Sequence, residues 1–128
     1  ELGDTVYRRC LFVVKEIQRV QDAVKAMDAS DFKTLGALMF ETHTGLSENY
    51  EVSCEELDFL VDAVRNNNAV IGSRMMGGGF GGCTINLVKK GNEDEVIAQM
   101  RKAYKDKFDI ELTAYKVAVS EGTHAYKK

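Results

Sequence analysis

The sequence of 128 residues contains no proline and no tryptophan. Proline removes an amide and breaks helix interiors, so its absence suits a helix-rich chain with short connections. Cysteines number three and histidines two. Cys10, Cys54 and Cys83 are far apart, no Cys-x-x-Cys pair occurs, and His43 and His124 supply the imidazoles. That pattern does not make a structural zinc site, and no metal site is expected. Three unpaired thiols fit a reducing, cytoplasmic setting. No apolar run approaches the roughly 20 residues of a membrane span. Neither sign of charge dominates: 17 basic and 20 acidic residues leave a net charge of −3. A nucleic-acid binder would carry a strongly basic face. Neither nucleic acid nor membrane is therefore expected as a partner. The opening Glu1-Leu2-Gly3-Asp4 lacks a basic and apolar leader. It also lacks Met, so a fragment or processed product is expected.

What is present is ordinary globular composition, 45% hydrophobic and 29% charged, in a length typical of one domain. The pattern changes near residue 68. Residues 1–68 read as helices. Asp4 can cap a helix to about Met27, in which Val6, Cys10, Val13, Val14, Ile17, Val24 and Met27 form one apolar stripe at three- and four-residue steps. Residues 28–31 are a turn with two candidate caps. A second helix runs to about Glu48, weakened at Gly36 by ~1 kcal/mol relative to alanine. Ser53 and Glu56 fit a capping box. The helix behind it starts at Cys54, buries Leu57, Leu60, Val61 and Val64, and stops at Asn66–Asn68.

Residues 69–128 read as strand, strand, helix, strand: Ala69–Met75, Cys83–Val88, a helix to about Phe108 introduced by Asn92 and Glu95 as a second capping box, and Leu112–Val119. That order is three quarters of a split βαβ unit. The expected fold is α+β: a ferredoxin-like antiparallel sheet with additional N-terminal helices.

One tract stands out. Gly77, Gly78, Gly79, Gly81 and Gly82 place five of the 11 glycines in six residues around Phe80. Glycine loses the most conformational freedom on folding, so such a cluster is costly unless it must adopt positive φ or approach something closely. It is either a flexible hairpin or a loop whose bare amides face an anion or another backbone. Gly77, Gly79 and Gly82 also satisfy G-x-G-x-x-G. A dinucleotide fingerprint opens a helix, whereas these residues lead into a strand. No Walker lysine, Gly-x-Ser-x-Gly or His-Glu-x-x-His occurs, and no complete active site is visible.

The run Gly72-Ser73-Arg74-Met75-Met76-Gly77-Gly78-Gly79-Phe80-Gly81-Gly82-Cys83-Thr84 closely resembles the third signature motif of galactokinases, members of the GHMP small-molecule kinases. Glu41-Thr42-His43 and the segment Leu46 to Asp58 are similar to that family's helix-turn-helix stretch ahead of the motif. Arg8-Arg9 and Val13 to Val20 resemble the helix upstream of it. The likeness runs nearly end to end.

The resemblance implies ATP-dependent phosphorylation of the anomeric hydroxyl of galactose, with ATP and magnesium used by the parent enzyme. It implies a limit as well. The family's Gly-Glu-His-Thr-Asp sugar motif, Ser-rich phosphate loop, and catalytic Asp and Arg lie in its N-terminal part, and none of those motifs occurs here. The chain thus resembles a GHMP kinase C-terminal domain, with an N-terminal domain as intramolecular partner. No catalytic residue is expected in it, and alone it should bind neither ATP nor magnesium. The glycines 77–79, 81 and 82, with Phe80, are expected to pack against the phosphate loop and shape the cleft.

Met76 stands where the family commonly has threonine, which removes a hydroxyl. A kinase for N-acetylgalactosamine or arabinose, or a free-standing ferredoxin-like regulatory module, are the alternative readings. Arg74 could face phosphate or pair at the surface. His43 reads as a hydrogen-bonded, half-buried histidine rather than a base, Cys83 as a buried thiol, and Lys89, Lys90, Lys127 and Lys128 as solvated. Phe80, Met75 and Met76 are expected to be exposed in the isolated chain and to drive self-association.

Overall fold

The computed structural model describes residues 3–123 and 125. Lys127 and Lys128 therefore lie outside the described residues, as do Glu1, Leu2 and His124. The chain forms helices α1 (Asp4–Asp28) and α2 (Phe32–Thr44), a π-helical turn (Gly45–Asn49), and helix α3 (Glu55–Arg65). Strands β1 (Val70–Met75) and β2 (Thr84–Val88) and helix α4 (Glu93–Phe108) follow. The class is α+β, with helices ahead of an antiparallel pair. The two strands pair from Val70↔Val88 to Met75↔Thr84, with an irregularity between Val70 and Gly72.

The centre of the core is built from α3, β1 and α4. Leu57, Leu60, Val61 and Val64 are all buried, as their spacing predicts. Glu55, Glu56 and Asp58 in the first turn of α3 and Arg65 in its last complement the helix dipole. Val64 packs with Val70 and Val96, flanked by Ala69, Val88 and Met100. Phe59 joins α3 to α4 through ring contacts with Tyr104 at 6.3 Å and Phe108 at 5.4 Å.

The second helix lies directly on β1. A Cβ on Gly36 would stand 1.9 Å from the Ile71 carbonyl oxygen, and one on Gly72 would stand 2.5 Å from Gly36 Cα. The glycine that weakens α2 as an isolated helix is thus what lets it reach the strand.

Three sequence expectations are corrected. The apolar stripe of α1 is not buried: Val6, Val13, Val14, Ile17, Val24 and Met27 are each 41–65% exposed. The helix meets the body instead through Arg9, Phe12, Glu16, Arg19 and Ala26, one position along each turn. Phe12 and Ala26 are buried, Arg9 pairs with Glu51, Glu16 accepts from Thr42 at 2.7 Å, and Arg19 reaches Glu41 at 3.4 Å.

Nor do residues 112–119 form a strand. Alternation makes a strand only where a partner takes up its amides. Here α4 side chains hold the segment, Arg101 on the Leu112 carbonyl and Asp94 on Lys116 at 2.7 Å. Tyr115, Val117 and Val119 are at least 82% exposed.

Neither capping box forms. Asn92 caps α4 without a side-chain bond, and the Glu93 carboxylate takes the Gly91 amide instead. Cys54 is the N-cap of α3, because the Ser53 hydroxyl turns to Asp58. Gly3, not Asp4, caps α1, whereas Asp31 caps α2 by accepting the Thr34 amide.

Replacing Gly36 by alanine forces α2 off β1 and should destabilise the protein by about 1–3 kcal/mol. Gly78→Ala, which meets open space, should stay within ~0.5 kcal/mol. Denaturant midpoints of the two variants check this, and equal midpoints would remove the packing argument.

Candidate functional site

The glycine tract is the connection between β1 and β2, closed at its base by the Met76 amide donating to the Cys83 carbonyl at 2.9 Å. Positive φ runs through it at Gly77, Gly79, Phe80, Gly81 and Gly82. Phe80, at φ 60, adopts a conformation uncommon without glycine. Two contacts fix the loop from outside.

The first is at its tip. The Phe80 amide donates to the Val52 carbonyl at 2.7 Å. A Cβ on Gly79 would stand 2.0 Å from the same oxygen. At this point the tract faces another backbone, not an anion, and only glycine permits the approach. Val52 is itself held. Its amide donates to the Leu46 carbonyl, and Glu51 before it takes the left-handed conformation at φ 60. The Glu51 carboxylate pairs with Arg8 at 2.8 Å and Arg9 at 3.0 Å. The Arg9 hydrogen bond, then the Arg8 charge, hold its carboxyl below the usual carboxylate range.

The second contact is at the entry. Met75 ends β1, fully buried, and its amide donates to His43 Nδ1 at 3.2 Å. His43 Nε2 faces Asp58 Oδ1 at 3.2 Å. Asp58 also accepts from the hydroxyls of Ser47 at 2.9 Å and Ser53 at 2.5 Å. The imidazole is only 3% exposed. Burial pushes its pKa below the ordinary value, with Asp58 opposing. An acceptor at Nδ1 and a donor at Nε2 define one neutral tautomer.

The predicted site residues separate into three groups. Gly77, Gly78, Gly79, Phe80, Gly81 and Gly82 form one loop, and Phe80 is 76% exposed. Met76, at 41%, stands beside the loop with Cys83 Sγ 4.0 Å from its sulfur. Arg74 turns away: it donates to the Met75 carbonyl and lines a groove with Val20, Val24 and Ile85.

Two expectations fail here. Cys83 is exposed, because the wide glycine turn carries the start of β2 past the core edge. Met75 is buried rather than exposed, because it alternates on β1 with Arg74 and so faces away from the groove that Arg74 lines. Sequence reasoning also missed Val52, Asp58, Ser47 and Ser53 as supports of the loop. Val52 acts through its carbonyl, which leaves no side-chain signal, and Ser53 sits at a spacing that points to capping. Among the described residues, no three metal-ligating side chains gather, and no helix is long and apolar enough to cross a membrane.

The family model of the GHMP kinases C-terminal domain matches residues 23–106. The chain belongs to that family. Among curated relatives, the galactokinase of Thermotoga neapolitana is 43% identical over 122 residues, covering 95% of this chain and 35% of that protein. The Clostridium perfringens galactokinase is 39% identical over 115 residues, covering 90% of this chain and 30% of that protein. The chain thus spans about a third of the length of these relatives. Among solved structures, Lactococcus lactis galactokinase complexed with galactose superposes at a TM-score of 0.81. It is 32% identical, over 85% of this chain and 28% of that one. Mevalonate kinase of L. major, at 23% identity and a TM-score of 0.57, shares the GHMP fold.

The loop geometry ranks the glycines. Gly79→Ala adds a backbone clash to positive φ and should cost on the order of 3 kcal/mol. Gly81, also at positive φ, has open space around it, so Gly81→Ala should cost about 1–2 kcal/mol. Thermal melts of the two variants test the order, and a reversal would mean that Val52 does not bound the loop.

The histidine predicts a pH dependence. Its folded pKa lies below its unfolded value of about 6.5, so the unfolded state binds more protons between the two. The stability that the neutral ring supplies is whole above pH 6.5 and is lost as the pH falls from there through the folded value. Denaturant midpoints between pH 7.5 and 5 should fall more steeply for wild type than for His43→Asn. Parallel curves would contradict the assignment.

Proposed function

We propose that this chain is the C-terminal part of a galactokinase. The observation that carries the reading is the 43% identity to a galactokinase across 95% of the chain. The superposition on a galactokinase complexed with galactose supports it. In the parent reaction the anomeric hydroxyl oxygen of galactose attacks the γ-phosphorus of ATP. The bond from that phosphorus to the ADP oxygen breaks, and the hydroxyl proton passes to a base outside this chain. The products are galactose 1-phosphate and ADP.

The chain's own contribution is support. Phosphoryl transfer depends chiefly on positioning and electrostatics, and a misplacement of about 1 Å can cost on the order of 100-fold in rate. The loop of Gly77, Gly78, Gly79, Phe80, Gly81 and Gly82, fixed at its entry and its tip, packs against the phosphate-binding elements of an N-terminal domain. The exposed Phe80 ring is the side chain it offers to that domain. Met76 stands beside the loop, part exposed, and Arg74, turned into its groove, is not assigned to phosphate.

Among the described residues no three carboxylate, histidine or cysteine side chains gather, so the residues that would hold magnesium belong to the N-terminal domain. The same N-terminal domain is the fitting cover for the apolar stripe of α1. Without that cover the stripe and Phe80 are the surfaces through which the isolated chain would self-associate. Its free thiols suit the cytoplasm.

The test is enzymatic. The 128-residue chain alone should give no galactose 1-phosphate from ATP and galactose above a heat-killed control. The full-length protein should give it, with kcat/KM falling at least tenfold in Gly79→Val. Turnover by the pure fragment defeats the division of labour. A full-length Gly79→Val enzyme within about twofold of wild type, ~0.4 kcal/mol by rate arithmetic, reduces the loop to a plain hairpin.

A further inference from the structure

We propose that His43 is a positioning residue: its unprotonated Nδ1 holds the Met75 amide and thereby sets where the glycine loop leaves the sheet. The geometry is one chain of bonds. The Met75 amide donates to His43 Nδ1, Nε2 is turned to Asp58, and Ser47 and Ser53 donate to the same carboxylate. β1 and α3 thus meet on one ring of α2, and Ser47 and Ser53 hold the carboxylate behind it. Met75 is the last residue of β1 and the next two are Met76 and Gly77, where φ turns positive. A change at this amide is felt where the loop begins.

The requirement is stricter than space filling. A proton on Nδ1 turns that atom into a donor facing another donor, which breaks the tether and leaves a buried amide unpaired. The charged groups around the ring are few. Asp58, Asp62 and Arg65 face it from α3. β1 presents the Met75 amide, with Arg74 bonded to the Met75 carbonyl. From α1, Glu16 and Arg19 are engaged with Thr42 and Glu41. Burial outweighs the two aspartates and keeps the ring neutral.

The catalytic consequence rests on the galactokinase reading, whereas the tether does not. Two substitutions separate the ring's two nitrogens. His43→Asn puts a side-chain oxygen near the position of Nδ1, and His43→Gln puts an amide near that of Nε2. In the full-length protein, His43→Asn should leave hydrogen exchange at the Met75 amide within about threefold of wild type. His43→Gln should raise it at least tenfold, with the other β1 amides changing less than threefold, so that the loosening is local to Met75. A wild-type arm needs no variant: exchange at Met75, corrected for its intrinsic pH dependence, should rise as the ring is protonated.

If the kinase reading holds, kcat/KM for galactose falls at least tenfold in His43→Gln and less than threefold in His43→Asn. The loss of wild-type activity on acidification through the ring's titration should be missing from His43→Asn. Equal Met75 exchange in the two variants, or wild-type exchange that ignores ring protonation, overturns the proposal. Selective loosening in a protein that phosphorylates no sugar supports the tether and overturns the kinase reading instead.

Discussion

The approach of α2 to β1 is the constraint from which the remaining arrangement follows. At Gly36 and Gly72 the helix and strand touch backbone to backbone, closer than any Cβ would allow. Seven residues after Gly36, two helical turns, the same face of α2 presents His43. Three residues after Gly72 the strand presents the Met75 amide. The ring and the amide meet because the two glycines set the distance between helix and strand. Helical propensity alone would favour alanine at position 36, and the tertiary contact overrides it.

From that contact the support of the glycine loop divides into two arms. One runs from Asp58 through His43 to Met75 and holds the loop's entry. The other runs from Arg8 and Arg9 through Glu51 to Val52 and holds its tip. Both reach the loop through main-chain groups, the Met75 amide and the Val52 carbonyl. A loop anchored in this way can vary in its side chains while its path stays set. That property suits the role proposed for the loop, a wall packed against an N-terminal domain, where shape matters more than any single functional group.

The first helix is inverted relative to the usual expectation for a helix on a core. Its apolar stripe faces solvent, and its inner side joins the body through charged and small residues with Phe12. An amphipathic helix ordinarily buries its apolar face, so a large exposed stripe marks a surface meant for further contact. The same logic applies to Phe80. Both features agree with a chain that spans about a third of its relatives.

Much of this protein is legible in its residues. Apolar spacing located four helices and two strands, and it named the core of α3 because Leu57, Leu60, Val61 and Val64 face inward wherever that helix is placed. The glycine tract announced itself because no other residue tolerates such φ values without strain. What local pattern could not supply was direction and partnership. Period shows that α1 has an apolar face but not whether anything in the chain covers it. Alternation at 112–119 shows a potential strand, but a strand exists only with a hydrogen-bonding neighbour, and α4 holds that segment instead. Ser53 has the spacing of a cap and the hydroxyl of a network member. Asp58 is only five residues on, but its carboxylate also meets His43 from α2, and that contact exists only in the tertiary structure.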